Sequence, residues 1–345
     1  MKIAVFLPNW VGDVAMATPT LRALRSRFPQ AKVIGIMKPA MADVLEGTAL
    51  LDEWWPYSGR GPRDRSFWKN AWRLFRGRFD LAILLTNNLQ TAQLAWFGRV
   101  KERVGYARYN RESWLTRSLI PPMENGAFKP FPAVDYYLAL AYAVDCANET
   151  PEIELHVNTS DEILAATSFR ELGIGAERGV VTFNSSGAFG AAKLWPEEYF
   201  VALAKRIVSE LSHDVLVICG PNEAERAARI AEAAGSRHVA SLAGRPLSIG
   251  LSKACVRRSR LLVSTDSGPR HFAAAFDVPV VSLFGPTHIA WSDTHYEKEM
   301  KLQVAVDCGP CQQRVCPETH HKCMRDLSIE TVFSAVQQSL QTTKV

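Results

Sequence analysis

"IAVFLPNWVGDVAMATPTLRAL", residues 3–24, runs from an unbroken apolar stretch into a segment with apolar residues at helical spacing. Ile3-Ala4-Val5-Phe6-Leu7 carries no polar residue on either face, as a strand buried on both sides of a parallel sheet requires. The handover that follows holds Gly12-Asp13. A carboxylate is favoured by a helix N-terminus, which is reason enough for Asp13 as a capping or first-turn acid. Open α/β sheets also keep their chemistry outside the carboxyl ends of their strands, where a carboxylate can act as a base. The stretch by itself leaves both readings open. Pro19 either starts a helix behind Thr18 as cap or kinks one begun near Asp13.

The same grammar continues. Lys32–Met37 and Leu81–Leu85 read as strands, and Val134–Ala143 as a helix after a loop rich in Pro and Gly. "CANETPEIELHVNTSDE", from Cys146, reads as a linker region. Beyond it, strands are expected at Val180–Asn184, Val215–Cys219, Leu261–Ser264 and Val280–Phe284. Helices are expected at Pro196–Leu211, Glu223–Ala234, Ser248–Ser259 and His271–Phe276. Strands alternating with helices imply βαβ units, so the fold class is α/β with two Rossmann-like halves and a ligand cleft between them.

A chain of 345 residues is long for one core, and its composition is that of a globular protein. No apolar stretch approaches the length of a membrane span, and the opening run is too short for a signal peptide. Seven cysteines, an odd number, do not read as a secreted disulfide framework. A cytoplasmic protein is expected. Charge is unevenly spread: Trp54–Arg117 holds 11 Arg and 2 Lys against 2 Asp and 2 Glu, net +9 where the whole chain is +5. The rest of the chain is therefore acidic. Aromatics interleave with these cations in "RGPRDRSFWKNAWRLFRGRF" and "WFGRVKERVGYARYNRESW". Arg stems snorkelling over apolar neighbours would account for it. So would an anionic partner: nucleic acid, a lipid head group, or a phosphorylated or carboxylated substrate.

"LLVSTDSGPRHFAAAF", residues 261–276, ends a buried strand at Thr265-Asp266-Ser267-Gly268 before a helix carrying His271. Small residues with free N–H groups at a helix start bind phosphate well, and a capped turn would look the same. "FNSSGAFGAAKLWPEEYF" supplies Ser185, Ser186 and Lys193 after another strand. "VICGPNEAERAARI" supplies Glu223 or Glu225 for a ribose or sugar hydroxyl, and "SLFGPTHIAW" ends a fourth strand. Four such strand ends in one domain describe a pocket for a nucleotide diphosphate. Cys308, Cys311, Cys316 and Cys323, near His320 and His321, have the residue types of a structural zinc site; buried thiols or disulfides are the alternatives.

Taken in order, "NWVGDVAMATPTLRAL", "KLWPEEYF", "STDSGPRHFAAAF" and "LFGPT" resemble the glycosyltransferase family that holds the lipopolysaccharide heptosyltransferases, family 9. The tail "CGPCQQRVCPETHHKCMRDLS" is most similar to the heptosyltransferase II branch. The resemblance implies a GT-B fold of two facing domains. Residues 1–160 would be the acceptor-binding domain and 161–326 the donor-binding domain, with a helix in 327–345 packing back on the first. It implies ADP-heptose as donor, an anionic lipopolysaccharide inner core as acceptor, inversion at the anomeric carbon and no required cofactor. Asp13 matches the catalytic base, with Gly12 allowing close approach of the acceptor. Ser185, Ser186, Lys193, Ser267 and Gly268 match positions around the donor diphosphate. Glu223 and Leu247 match positions near ribose and adenine, and Asp266 and His271 positions near the heptose. Pro269 and Arg270 depart from the small or apolar residues expected there. Arg60, Arg63 and Arg65 suit an acidic acceptor, and the basic region suits peripheral contact with the inner membrane; no nucleic acid is expected. The alternatives are another family 9 transferase or a sugar nucleotide 2-epimerase on the same fold. The basic region counts against the epimerase, which needs no lipid acceptor.

Overall fold

A computed structural model describes residues 1–57, 59–187 and 189–342. It divides into two compact units, Met1–His156 with Ala290–Thr294, and Val157–Ile289 with His295–Val345.

The first unit is built on β1 (Lys2–Phe6), α1 (Val11–Met16), α2 (Thr18–Arg27), β2 (Lys32–Met37), α3 (Pro39–Leu45), β3 (Glu53–Pro56) and α4 (Arg65–Gly77). It continues with β4 (Leu81–Leu84), α5 (Leu89–Phe97), β5 (Glu102–Tyr106), β6 (Arg117–Leu119), the short hairpin β7–β8 (Met123–Glu124 and Ala127–Phe128) and α6 (Ala133–Tyr142). Six parallel strands run in the order β3-β2-β1-β4-β5-β6. β1 lies in the middle, which is why four of its five residues are buried. Ala4, Phe6, Ile34 and Leu84 face Phe67, Leu74 and Leu94 of α4 and α5 in one core cluster. Their neighbours Ile3, Val5 and Ile83 are equally buried and point to the other face by strand alternation.

Pro19 marks a kink in a helical run begun before Asp13, and Ala17, not Thr18, holds the cap position of the second helix. α1 stops at Met16, Ala17 keeps helical backbone angles, and α2 starts at Thr18 with Pro19 in its first turn. Proline has no N–H to give the carbonyl four residues back, that of Ala15. The Thr18 hydroxyl takes that place, donating to Ala15 O at 2.7 Å, and it also accepts from the Glu154 N–H at 2.9 Å.

The second unit repeats the plan with α7 (Thr159–Leu172), β9 (Val180–Asn184), α8 (Glu197–Glu210), β10 (Asp214–Ile218), α9 (Ala224–Ala234), β11 (Val239–Ser241) and α10 (Ile249–Arg257). β12 (Leu261–Thr265), α11 (Pro269–Ala275), β13 (Val280–Phe284), β14 (Glu299–Gln303), α12 (Lys322–Arg325) and α13 (Ile329–Thr342) complete it. Its parallel order is β11-β10-β9-β12-β13-β14. The C-terminal helix α13 packs within its own unit. Val332, Phe333 and Val336 of α13 are buried on α8 and the strands β12 to β14. The Trp195 indole donates to Leu327 O at 2.9 Å, and Arg206 lies 3.7 Å from the Phe333 ring centre. An apolar stripe is held wherever the nearest complementary face lies, and here its own unit supplies one.

Candidate active site

In both sheets the order reverses between the first and fourth strands, so ligand chemistry belongs at their carboxyl ends. In the second unit these strands are β9 and β12, paired with Asn184 opposite Ser264. The Asn184 amide donates to Ser264 Oγ at 2.9 Å and to Ser267 Oγ at 2.6 Å. The Thr265 hydroxyl donates to Ser186 O at 2.7 Å, and Arg226 Nε donates to Ser185 O at 3.1 Å. These bonds stitch the two strand ends together. Ser185, Ser186, Ser267 and Gly268, expected around a diphosphate, thus share one small region.

Lys193 reaches the same place from the turn before α8. Its ammonium donates to Asp266 O at 2.9 Å and to Asp266 Oδ2 at 2.5 Å. Thr287 donates to that carboxylate oxygen at 2.7 Å, and Arg270 Nη1 lies 3.5 Å from Oδ1. Arg270 is also bound to Glu299 on β14, with Nε and Nη2 each 2.9 Å from Oε1, and Ser282 donates to the same oxygen at 2.5 Å. The residue that departed from the resemblance is therefore the centre of a buried chain of charge, Lys193–Asp266–Arg270–Glu299. Burial opposes ionisation of Asp266, but Lys193 and Arg270 outweigh it and hold the carboxyl well below its ordinary range. Lys193 is not a lone point charge: two of its donors serve Asp266, and its ammonium lies 4.7 Å from the Phe189 ring centre. His271, 3 % exposed, is kept neutral by burial and by the repulsion of Arg270, its pKa well below 6.5.

Glu223 stands at the end of β10, where its carboxylate accepts the Gly220 N–H at 2.7 Å. Glu225 lies on the exposed side of α9, so Glu223 is the better placed of the two. Leu247 is half-buried in the loop from β11 to α10. Both are at the carboxyl edge of the sheet, one and two strands beyond β9.

In the first unit Gly12 and Asp13 occupy the first turn of α1, directly after β1, and are half-buried. Trp10, not Asp13, is the residue at the cap position. Tyr137 on α6 is buried beside Asp13; burial first and the carboxylate second raise its phenol well above 10. Residues that sequence reading passed over crowd the neighbouring strand end. Arg111 is fully buried, and among the described residues no carboxylate is bound to it. It donates through Nε to Tyr106 O at 2.8 Å, through Nη1 to Thr86 O, and through Nη2 to Asn87 Oδ1 at 3.3 Å. The Tyr136 hydroxyl donates to the same Asn87 oxygen at 3.1 Å. Burial lowers the Arg111 pKa to about 10. The only signal was "GYARYNRESW", an arginine pair among aromatics within the basic stretch. Arg60, Arg63 and Arg65 are exposed at the end of β3, two strands from β1.

Among the described residues no group of three His, Cys, Asp or Glu side chains could hold a metal ion, so a zinc site at Cys308, Cys311, Cys316 and Cys323 is not assembled. All seven cysteines are free thiols. Cys323 is buried on α12 while Cys308 is exposed, and the four line a small cavity with His320 and His321. Burial and its cysteine neighbours push the Cys323 thiol up to about 11.

With the geometry in place, comparison with known proteins is direct. Lipopolysaccharide heptosyltransferase 2 of Salmonella typhimurium is 26% identical over 99% of both chains. The structure of E. coli ADP-heptose lps heptosyltransferase II matches all of both chains with a TM-score of 0.80 at 23% identity. A glycosyl transferase family 9 structure from Veillonella parvula gives 0.86 at 20% identity, covering 99% of this chain and 98% of that one. These likenesses show the fold, two Rossmann-like domains of the GT-B class. A family model described as glycosyltransferase family 9 (heptosyltransferase) matches residues 67–322, and the chain belongs to that family.

Proposed function

We propose that the protein transfers heptose from ADP-heptose to the inner core of lipopolysaccharide, with inversion at the anomeric carbon. The observation that supports this best is the match along 99% of both chains to relatives named heptosyltransferase 2. The two strand-end sites fit its chemical demands. The second unit would hold the donor. The serines behind β9 and β12 and the Lys193 ammonium would meet the diphosphate, and Glu223 and Leu247 the nucleoside. Charge that develops on the departing ADP would be stabilised there.

The first unit would serve the acceptor. The acceptor hydroxyl oxygen bonds to the anomeric carbon as the bond from that carbon to the phosphate oxygen breaks, and the proton goes to Asp13. A carboxylate can do this when ionised and within hydrogen-bond reach of the hydroxyl. Arg111 and the exposed Arg60, Arg63 and Arg65 would meet an anionic acceptor, since guanidinium groups suit planar carboxylates and phosphates.

Thermal unfolding with ADP, UDP and GDP tests the donor half. A ligand at about a hundred times its Kd stabilises the folded state by about 2.7 kcal/mol. Stabilisation by ADP alone, kept in Asp13→Ala, is expected. Equal stabilisation by UDP or GDP would sink ADP-heptose as donor and leave another family 9 transferase.

A further inference from the structure

The cysteine-bearing tail, residues 308–323, belongs to neither strand end and builds no core of its own. Only Cys323 in it is buried, and among the described residues it forms no strand and no helix beyond the start of α12. Ordering so exposed a segment costs chain entropy that its own apolar contacts do not return. Its long-range bonds reach two turns of the same unit, residues 190–193 before α8 and 285–287 after β13.

On the first turn the tail takes both polar groups of Ala192. The Ala192 N–H donates to Arg314 O at 3.0 Å, and the Ala192 carbonyl accepts from His321 Nε2 at 2.7 Å. A carbonyl can only accept, so Nε2 carries the hydrogen. The fit is close, since a Cβ on Gly190 would collide with the Arg314 carbonyl. Lys193 and Arg314 both lie over the Phe189 ring, 4.7 and 5.5 Å from its centre. On the second turn the Gln312 N–H donates to Pro286 O at 2.8 Å. A Cβ on Gly285 would lie 3.4 Å from the Cys323 sulfur.

Each turn carries a side chain that donates to Asp266 Oδ2, Lys193 at 2.5 Å and Thr287 at 2.7 Å. The tail thus ties together the two turns that grip one carboxylate. Peptide units are planar, so a fixed Ala192 carbonyl fixes the plane that ends on the Lys193 nitrogen. Ala192 is 3 % exposed, so without His321 its carbonyl has little water to turn to and the turn must shift to find a partner. We propose that the tail is a strap that sets the position of Lys193 for the donor diphosphate, with His321 as its positioning residue. This rests on the reading of Lys193 as a diphosphate contact, and it gives the cysteine-bearing tail a task that needs no metal.

The test is calorimetric titration of the full chain with ADP. His321→Leu keeps the bulk and loses the donor, and should weaken ADP binding about fivefold, the worth of one hydrogen bond. His321→Gln, which carries an N–H to nearly the reach of Nε2, should bind as the parent does. Residue 321 has a φ of 54°, so both variants bear the same left-handed backbone and their difference isolates the donor. In a Lys193→Ala background His321→Leu should add no further loss, since the strap acts through Lys193. His320→Leu should bind as the parent, because His320 Nδ1 accepts within the tail, from the Lys322 N–H at 3.1 Å. Gly190→Ala presses on the Arg314 carbonyl from the turn's side and should also weaken binding. An unchanged unfolding temperature checks that each variant is folded. Parent-like binding by His321→Leu or Gly190→Ala, no rescue by His321→Gln, equal loss from His320→Leu, or a loss that persists without Lys193 would each overturn the strap. ADP binding by Lys193→Ala as tight as the parent's would instead overturn the diphosphate reading beneath it, and the strap with it.

Discussion

Asp13 and Asp266 are both aspartates at the ends of central strands, yet their surroundings assign them opposite work. Asp266 is locked between Lys193, Arg270 and Thr287, so its charge is already spent on holding the site together. Asp13 is half-buried in the first turn of a short helix, and we propose that it takes the acceptor's proton. Asp13→Asn should therefore lower kcat by about a hundred- to ten-thousandfold with ADP affinity unchanged, as transfer assays and calorimetric titration would read it. Asp266→Asn leaves buried cations without their partner and should cost about 3–5 kcal/mol of unfolding free energy, measured by denaturant titration. His271 gives a pH signature. Its folded pKa lies below the ordinary 6.5, so the unfolded chain binds a proton that the folded chain refuses. Stability should fall as pH drops below 6.5, by at most about 1.4 kcal/mol per pH unit. Melting curves of the parent and of His271→Asn between about pH 7.5 and 5.5 should converge towards the acid end.

At the level of elements, the break between α1 and α2 shows how one proline divides the helical run that follows β1. Pro19 cannot donate to the Ala15 carbonyl, which instead accepts a backbone N–H at the end of α1 and the Thr18 hydroxyl, so the kink costs little while Asp13 sits in the turn after β1. Thr18→Val should cost about 1–3 kcal/mol, because the Glu154 N–H loses its acceptor and the buried Ala15 carbonyl loses one of its donors. In a Pro19→Ala background the same change should cost less, since residue 19 then has an N–H for Ala15. It should not fall to zero, because the Glu154 N–H still lacks an acceptor. A double-mutant cycle of unfolding free energies would measure the difference. The elements whose pattern is strong could be read from the residues: β1, β2 and β13 are apolar runs, and α8 has its Pro, first-turn acids and stripe. β3 (EWWP) and β14 (EMKLQ) could not, since each is an edge strand whose partner on one side alone makes it a strand. α7 begins inside a stretch that reads as linker, because its apolar residues are sparse and its first turn is polar and acidic.

Across the whole molecule, two units carry the same strand order and different chemistry. ADP should slow amide exchange most at the ends of β9 and β12, residues 184–187 and 265–271, and least in the first unit. Exchange measured by mass spectrometry with and without ADP reads this directly. Uniform protection of both units, or protection confined to the first, would move the donor out of the second unit.

The sequence by itself determined the alternation of strands and helices, the doubled α/β plan, the excess of positive charge in the first half and the residue types at the strand ends. Those depend on local periodicity and on residues near in the chain. Tertiary structure alone decided what each group faces. It tied Lys193 to Asp266 across 73 residues and made Arg270 the hub of a buried network. It buried Arg111 among carbonyls, packed α13 on α8 and, among the described residues, left the tail cysteines without a metal geometry. Burial and the position of a partner fix the charge state and the work of a side chain. Both are set by contacts between residues far apart in sequence, which no local pattern records.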